Sequence, residues 1–221
     1  MGTVRDKNNE TKIAPLRNAF KDKFAELELR NAELLDADSI DKAIAGADYV
    51  VHVASPFVME GIRHSDELVK PAVDGTLNAL KAAHKHRVKR VVVTSSVMSV
   101  MGKPSNTHTG PITFTEKDWS EPAELQSLSD AYQLSKTLAE KAAWDYQSKL
   151  APEEAFDLVC INPGLVMGPA FVGKGFTSGE ILDLFMMGKL PSQPRNMITL
   201  VDVREVAFAH LQAIKVPEAR N

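Results

Sequence analysis

Three features are scarce in this sequence, and each scarcity excludes a class of protein. Its 221 residues include one cysteine, Cys160, so no internal disulfide can form and a disulfide-stapled scaffold is excluded. No apolar run approaches the roughly 20 residues that a membrane-spanning helix needs. The formal net charge is only −3, which gives no reason to expect a nucleic acid or an anionic membrane as a partner. The polar start carries no secretory signal, so the predicted location is cytoplasmic.

Short runs of β-branched residues are present, and they alternate with longer helical segments. The clearest predicted strands are Tyr49–Ala54, Arg90–Ser95 and Phe156–Asn162, with weaker candidates at Gly2–Arg5 and Leu27–Ala32. Their near-continuous apolar character favours a parallel sheet that is buried on both faces. The alternation therefore predicts an α/β fold, a Rossmann-like, doubly wound and mostly parallel sheet with helices on both faces.

Helical periodicity occupies the segments between and after these strands. The predicted helices are Ala14–Phe24, Ser39–Ala45, Glu67–His86, Asp130–Leu150, Glu180–Lys189 and Asp202–Lys215. Ser39 is expected to cap the second helix and Gly46 to end it. The segment 103–129 is long and rich in Pro, Thr and Ser, which indicates a functional or mobile loop.

The helix predicted from residue 130 carries a tyrosine and a lysine that could do acid–base chemistry. Tyr132 and Lys136 are four residues apart, so their side chains share one helical face. A lysine ammonium beside a phenol is expected to lower the phenol pKa from about 10. The tyrosine then becomes a usable proton donor near neutral pH. This spacing also occurs in ordinary amphipathic helices, so it is weak evidence by itself.

Two strand ends strengthen that reading. Ser95 and Ser96 stand at the end of one predicted strand, and Asn162, Pro163 and Gly164 stand at the end of another. Because ligands bind at the carboxyl edge of open α/β sheets, all three pieces should meet in one crevice. A serine hydroxyl there could hydrogen-bond a substrate carbonyl, and the Pro-Gly turn would let the backbone approach a flat ring.

Other reactive residue types receive structural interpretations. His84 and His86 resemble a metal-binding pair, but they lie in the basic run "HKHRVKR", which favours a solvated helix end. His52 lies within an apolar strand and is predicted to be a packed histidine. Cys160 is predicted to be a small buried hydrophobe. No metal site is predicted.

The whole set of motifs resembles the extended short-chain dehydrogenase/reductases, in the dihydroflavonol 4-reductase and cinnamoyl-CoA reductase branch of the NAD-dependent epimerase/dehydratase superfamily. The matching stretches are "GTVRDKNN", "AELLDADSIDKAI", "DYVVHVASPF", "VKPAVDGTLNALKAA", "VKRVVVTSSV", "YQLSKTLAEKAAW", "NPGLVMGP" and "VDVREVAFAHL". They occur in the family's order and cover nearly the whole chain. The resemblance implies an NADPH-dependent oxidoreductase that reduces an aldehyde or ketone to the alcohol.

The resemblance also implies catalytic and substrate-facing residues. Tyr132 would protonate the carbonyl oxygen. Lys136 would lower the pKa of Tyr132 and bind the nicotinamide ribose. Ser96 would orient the carbonyl, with Ser99 as a weaker substitute. The remaining substrate candidates are Met101 and, on a helix over the pocket, Ser178.

The resemblance further implies a binding surface for NADP(H). Arg5, helped by Lys12, would face the ribose 2′-phosphate, because a guanidinium pairs with phosphate through two hydrogen bonds. The alternative for both cations is a solvated surface. The remaining cofactor candidates are Glu33 and Leu34 near the adenine, Val53, Ala54 and Ser55 beside the ribose and phosphates, Tyr132 and Lys136, and Pro163, Gly164, Leu165 and Val166 along the nicotinamide.

The chain departs from the family pattern in three ways. No Gly-x-x-Gly-x-x-Gly turn occurs in it, so residues 1–221 are expected to form a single incomplete Rossmann domain that lacks the first strand. Residues 171–194 are expected to contribute to a reduced substrate lobe. Met101 replaces the asparagine that grips flavonoids in dihydroflavonol reductases, which makes a flavonoid substrate doubtful. A generic carbonyl compound is therefore the expected small-molecule partner.

Two alternatives to a reductase stay open. The chain could be a non-catalytic binding remnant that cannot hold NADPH, or an epimerase or 3β-hydroxysteroid dehydrogenase of the same superfamily with the same Tyr/Lys pair. A lost central strand would also expose sheet edge and apolar helix faces, so marginal stability and association are expected. The oligomeric state is not predicted.

Overall fold

The computed structural model describes residues 1–56, 61–102, 112–172, 177–189 and 199–220. Within them, parallel strands alternate with helices, which confirms the predicted Rossmann-like α/β class. The strands are β1 (Gly2–Val4), β2 (Leu29–Asn31), β3 (Tyr49–His52), β4 (Arg90–Thr94), β5 (Asp157–Ile161), β6 (Leu165–Met167) and β7 (Leu200–Asp202). The α-helices are α1 (Glu10–Phe20), α2 (Ala37–Ile44), α3 (Asp66–Lys85), α4 (Ala131–Ser148), α5 (Thr177–Met186) and α6 (Val203–Lys215).

The strands form three parallel groups. The central group has the order β3-β4-β5, and the pairs β1-β2 and β6-β7 stand beside it. His52 pairs with Val93, and Thr94 pairs with Ile161, so the carboxyl ends of the central strands lie at one edge. This edge is where the sequence places its chemistry-bearing residues.

Helices α3 and α4 cover one face of the central strands. Side chains of alternate residues point to this face, and Val91, Val93 and Leu158 are at most 4% exposed there. They pack with Ala79, Leu80 and Ala83 of α3 and with Ala143 of α4. Burial of this apolar area is the main stabilising term of the fold, and it holds α4 rigidly over the sheet.

Helix α6 covers the opposite face through a buried arginine. Arg90 points to this face, and its guanidinium donates hydrogen bonds to the carbonyls of Ala213 at 2.8 Å and Val216 at 2.6 Å. It also pairs with Asp157 at 2.9 Å. The guanidinium therefore satisfies carbonyls at the end of α6, which have no partner inside the helix.

The β1-β2 pair joins the rest of the fold through α2 and α3. Asn78 of α3 donates a hydrogen bond to the Leu34 carbonyl at 3.1 Å. A Cβ atom on Gly75 would lie 2.4 Å from Cγ of Leu34, so only glycine permits this close approach. Lys85 pairs with Asp41 at 2.8 Å nearby. Among the described residues, no strand pairing connects β1 with β3.

One edge of the central group carries exposed apolar side chains. Tyr49, Val51 and Val53 are 45%, 41% and 61% exposed. They alternate with Val50 and His52, which face the α3–α4 side or are buried. Exposed sheet edge of this kind fits the expectation of association, which remains a prediction.

Several predicted boundaries need correction. Helix α1 begins at Glu10 rather than at Ala14, because the Asn9 side chain caps it. Helix α2 begins before Ser39, because the Asp36 carboxylate accepts hydrogen bonds from the backbone N–H groups of Asp38 and Ser39. In the described part of the chain, no helix is long and apolar enough to cross a bilayer.

Candidate active site

Helix α4 presents three polar side chains toward the edge of the sheet. Tyr132, Lys136 and Glu140 are spaced four residues apart and therefore share one face of the helix. Lys136 is 8% exposed and Glu140 is 5% exposed. The Lys136 ammonium lies 5.8 Å from the centroid of the Tyr132 ring. The predicted Tyr/Lys pair is thus assembled in a largely buried setting.

Ser96 reaches the same place from the end of β4. Its side chain is buried and hydrogen-bonded with the Tyr132 phenol. The hydroxyl oxygen also accepts a hydrogen bond from the backbone N–H of Met98 at 3.2 Å, which begins the short 3₁₀ turn Val97–Ser99. The structure therefore brings together the three residues that the sequence nominates for catalysis.

The pKa of Tyr132 departs from the expected direction. Burial raises the pKa of this phenol, and the hydrogen bond with Ser96 opposes that rise only in part. The expected lowering by Lys136 is absent, since the phenol is desolvated and the ammonium lies over the ring at a distance. In this structure the phenol is therefore a protonated donor near neutral pH.

Burial also shifts the neighbouring cations. It lowers the pKa of Lys136 to about 8, and the charge of Glu140 opposes this change. It lowers the pKa of His52 to about 4, and the Lys136 ammonium adds to the effect. His52 is thus a buried neutral histidine, as predicted, yet it adjoins the lysine of the candidate site.

Glu140 is the functional candidate that the sequence interpretation missed. Its carboxylate accepts hydrogen bonds from the hydroxyls of Ser95 and Ser99 and from the side-chain amide of Asn162. The indole N–H of Trp144 reaches its other oxygen at 3.4 Å. The available signal was its spacing of four residues from Lys136, which reads equally well as a surface ion pair.

The other substrate candidates are placed less favourably. Ser99 is fully buried, and its hydroxyl bonds with Glu140 at 2.6 Å, so the structure argues against a role facing substrate. Met101 is half-buried just after the 3₁₀ turn. Ser178 is half-buried on α5, which contacts β6. Residues 173–176 and 190–194 of the expected substrate lobe lie outside the described residues.

The proposed phosphate-binding residues form a separate cluster at the carboxyl ends of β1 and β2. Arg5 follows β1, is 87% exposed and approaches the Glu33 carboxylate to 3.7 Å. Lys12 is exposed in the first turn of α1. Glu33 also accepts a hydrogen bond from the backbone N–H of Leu34, whose side chain packs on Gly75. The structure thus places Arg5 beside Glu33 and leaves the Arg5 guanidinium largely exposed to solvent.

The segment predicted to run beside the cofactor leaves β3 at the same edge. Val53 and Ala54 are exposed there, and Ser55 is half-buried. The carbonyl oxygen of Pro163 accepts a hydrogen bond at 3.0 Å from the backbone N–H of Val97, the residue after Ser96. A Cβ atom on Gly164 would lie 2.4 Å from the Thr199 carbonyl oxygen. Leu165 and Val166, both half-buried, belong to β6, a strand that the sequence did not predict.

The remaining reactive types are occupied elsewhere. His84 faces Glu154 at 3.4 Å, and His86 faces Asp41 at 3.0 Å. Within the described ranges, no group of three or more His, Cys, Asp or Glu side chains could hold a metal ion. Burial raises the pKa of the Cys160 thiol, which disfavours the reactive thiolate.

Comparison with known proteins agrees with this geometry. Residues 3–221 match the family described as the NAD dependent epimerase/dehydratase family. The chain belongs to this family. The membership confirms the resemblance that the sequence motifs indicate.

Individual relatives refine the comparison. The chain is 35% identical to Cinnamoyl-CoA reductase 1 of Petunia hybrida, covering 99% of this chain and 62% of the relative. It is 33% identical to Anthocyanidin reductase of Arabidopsis thaliana, covering 95% of this chain and 63% of the relative. The chain therefore spans less than two thirds of the length of these curated relatives.

A solved structure shows the same fold. The yeast methylglyoxal/isovaleraldehyde reductase Gre2, complexed with NADPH, superposes with a TM-score of 0.80 at 30% identity. The match covers 100% of this chain and 68% of the yeast chain. The match confirms the Rossmann-like architecture of this chain.

Proposed function

We propose that the chain carries the catalytic centre of an NADPH-dependent reductase that converts an aldehyde or ketone to the alcohol. The observation that carries the proposal is the buried hydrogen bond between Ser96 and Tyr132, with the Lys136 ammonium beside the phenol ring. A proton donor, a hydrogen-bond donor and a cation then converge at the carboxyl edge of the sheet.

The chain's own residues would perform the proton chemistry. The Ser96 hydroxyl donates a hydrogen bond to the substrate carbonyl oxygen, and Tyr132 gives its phenolic proton to that oxygen. The Lys136 ammonium lies 5.8 Å from the centroid of the Tyr132 ring but does not lower the pKa of the phenol, so its proposed part is to hold the nicotinamide ribose. Bound NADPH supplies the hydride to the carbonyl carbon.

The residues present fit NADPH at its two ends. Arg5 offers an exposed guanidinium, held only loosely by Glu33, to the ribose 2′-phosphate. Lys136 would hold the nicotinamide ribose, and Pro163 to Val166 would line its ring. Lys12 is the second proposed contact to the 2′-phosphate and Leu34 the proposed contact near the adenine. Val53, Ala54 and Ser55 are the proposed contacts beside the ribose and phosphates. Related proteins named as reductases, one of them solved with NADPH, support this choice of cofactor.

The proposed substrate is a small carbonyl compound. The yeast relative is named for methylglyoxal and isovaleraldehyde, and the plant relatives are named for larger cinnamoyl-CoA and anthocyanidin substrates. Met101 stands where flavonoid-reducing relatives are expected to have asparagine, so we favour a simple aldehyde. Isovaleraldehyde is therefore the probe for the experiments below.

The test replaces the proposed proton donor. Tyr132→Phe should lower turnover of isovaleraldehyde with NADPH by about 10²–10⁴-fold, because it removes the general acid. Tyr146→Phe removes the same atom from the same helix, where the hydroxyl contacts only His84 at 3.4 Å in the described contacts. This control should keep full turnover. Near-full activity in Tyr132→Phe would refute the proposed role.

A non-catalytic binding role is the second candidate. It is favoured by the apolar side chains along and just after β3, where Tyr49, Val51 and Val53 are 45%, 41% and 61% exposed. Titration of NADPH, followed by its fluorescence, separates the two. Micromolar binding supports the reductase, and no binding at millimolar NADPH supports the alternative.

A further inference from the structure

Glu140 lies where three structural elements meet. It projects from α4 one turn beyond Lys136, and its side chain is 5% exposed. Its donors come from the end of β4 (Ser95), the 3₁₀ turn (Ser99) and the end of β5 (Asn162). A buried carboxylate is energetically costly unless hydrogen-bond donors satisfy it, as these three side chains do here.

The same donors fix the backbone of Ser96. The Asn162 amide lies 3.2 Å from the Ser96 carbonyl oxygen and 2.8 Å from the Glu140 carboxylate. The Ser99 hydroxyl lies 2.7 Å from the Ser96 carbonyl oxygen and 2.6 Å from Glu140. The Asn162 amide carries two hydrogens and can therefore bridge the carboxylate and the peptide of the serine that meets Tyr132, whereas the Ser99 hydroxyl carries one and donates to either the carboxylate or that peptide oxygen.

We propose that Glu140 is a positioning residue, whose buried carboxylate ties α4 to the ends of β4 and β5 and so fixes Ser96 opposite Tyr132. The inference rests on the proposed reductase function and deepens it. Glu140 acts through its neighbours, because its acceptor oxygens are already engaged by protein donors and buried from solvent.

The carboxylate has a second consequence for the lysine. The groups that face Lys136 are Tyr132 and Glu140 on its own helix and His52 on β3. His52 is neutral above about pH 4, so Glu140 supplies the negative charge that favours the ammonium. Without that charge, Lys136 would lose its proton at a lower pH, and activity at alkaline pH would fall with it.

The first experiment measures turnover of isovaleraldehyde with NADPH across pH. Glu140→Gln should lower kcat by about 10–100-fold while changing the KM for NADPH less, since the contacts to the cofactor remain. Its alkaline loss of activity should move to lower pH by about one pH unit. Asp145→Asn removes an exposed carboxylate from the same helix and should change neither quantity.

The second experiment needs no activity. NMR titration of ¹³C-labelled lysine side chains, with Lys136 assigned by its loss in Lys136→Met, reports the pKa of Lys136 directly. Ultraviolet titration, compared with Tyr132→Phe, reports the phenol. Glu140→Gln should move both titrations, and Asp145→Asn should move neither. Unchanged titrations in Glu140→Gln would overturn the inference even if the wild type proves inactive.

Ser99→Ala keeps the inference testable if Glu140→Gln does not fold. This variant removes the hydroxyl that donates to either the carboxylate or the Ser96 peptide oxygen and leaves a methyl group in its place. It should lower kcat about fivefold, the value of one hydrogen bond, and should move the phenol titration. Wild-type kcat together with a wild-type phenol titration would contradict the positioning role. A wild type that does not oxidise NADPH, with both titrations shifted in the variants, would refute only the reductase.

Discussion

The proposed catalytic cluster is buried and hydrogen-bonded, whereas the proposed phosphate-binding cluster is exposed to solvent. Ser96, Lys136 and Glu140 are each less than a tenth exposed, and hydrogen bonds from neighbouring elements hold Ser96 and Glu140. Arg5 is 87% exposed and contacts Glu33 at 3.7 Å. The first cluster is held by buried hydrogen bonds, whereas the second offers an exposed side chain with one ion-pair contact.

This contrast separates chemistry from selectivity. Proton transfer needs groups placed to within a fraction of an ångström in a low-dielectric setting, which a buried network supplies. Recognition of a phosphate needs charge and reach, which an exposed arginine supplies. Substitutions in the buried cluster should therefore alter both stability and turnover, and substitutions in the exposed cluster should alter affinity alone.

The largest expected effect is that of Lys136→Met. We expect turnover of isovaleraldehyde to fall at least about 100-fold, because the cation beside the Tyr132 ring, which is also the proposed contact to the nicotinamide ribose, is lost. Burial lowers the pKa of Lys136 from 10.5 to about 8, so the unfolded chain binds more protons between these values. In urea unfolding, Lys136→Met should therefore be more stable than the wild type at pH 8. This difference in the free energy of unfolding should become smaller as the pH rises to 10.5.

Lys141→Met is the control for that prediction. Lys141 is on the same helix as Lys136, and its ammonium lies over the ring of Trp119. It should keep both wild-type turnover and the wild-type dependence of stability on pH. A difference between Lys136→Met and wild type that stays constant over this range would show that Lys136 is not desolvated. The contrast between the two clusters would then fail.

His52 should give a smaller effect, on stability only. Burial lowers its pKa from 6.5 to about 4, so the unfolded state binds the extra proton between these values. The wild type should lose about 2–3 kcal/mol of unfolding free energy as pH falls from 6.5 to 4. His52→Gln should remove this part of the loss in urea melts, and substitution of the exposed His64 should not. Parallel curves for His52→Gln and wild type would contradict a buried His52.

Arg5→Ala should give the smallest effect and should sharpen the contrast. The dissociation constant for NADPH should rise about tenfold, the worth of a charge-assisted pair with the 2′-phosphate, and that for NADH should stay unchanged. Fluorescence titration measures both. Arg17→Ala on α1, where the guanidinium pairs with Glu10, is the matched control. Equal weakening of both cofactors would argue that Arg5 does not face the 2′-phosphate.

Much of the fold follows from local sequence signals. The runs at residues 49, 90 and 156 form the central strands because uninterrupted β-branched residues suit a sheet buried on both faces. β6 and β7 were missed because three residues carry no readable period. The start of α2 was placed at Ser39 because Asp36 is an equally good capping residue and only the hydrogen bonds decide between them.

The proposed catalytic residues were readable from the sequence, but their environment was not. Tyr132, Lys136 and Ser96 carry the motif by spacing and position. The burial that raises the pKa of Tyr132 arises from tertiary packing. Glu140 escaped notice because "KTLAEK" resembles a solvated helix, and its burial depends on donors from residues 95, 99 and 162.

The contact between Leu34 and Gly75 has a geometric consequence. Arg5 lies on the β1-β2 pair and Tyr132 lies above the central strands, and no described ladder of strand hydrogen bonds links the two. Their separation depends on how closely Leu34 can approach α3, and Gly75 permits an approach in which an added Cβ atom would lie only 2.4 Å from Cγ of Leu34. A larger side chain at position 75 would therefore push the β1-β2 pair away from α3 and change the distance between Arg5 and Tyr132.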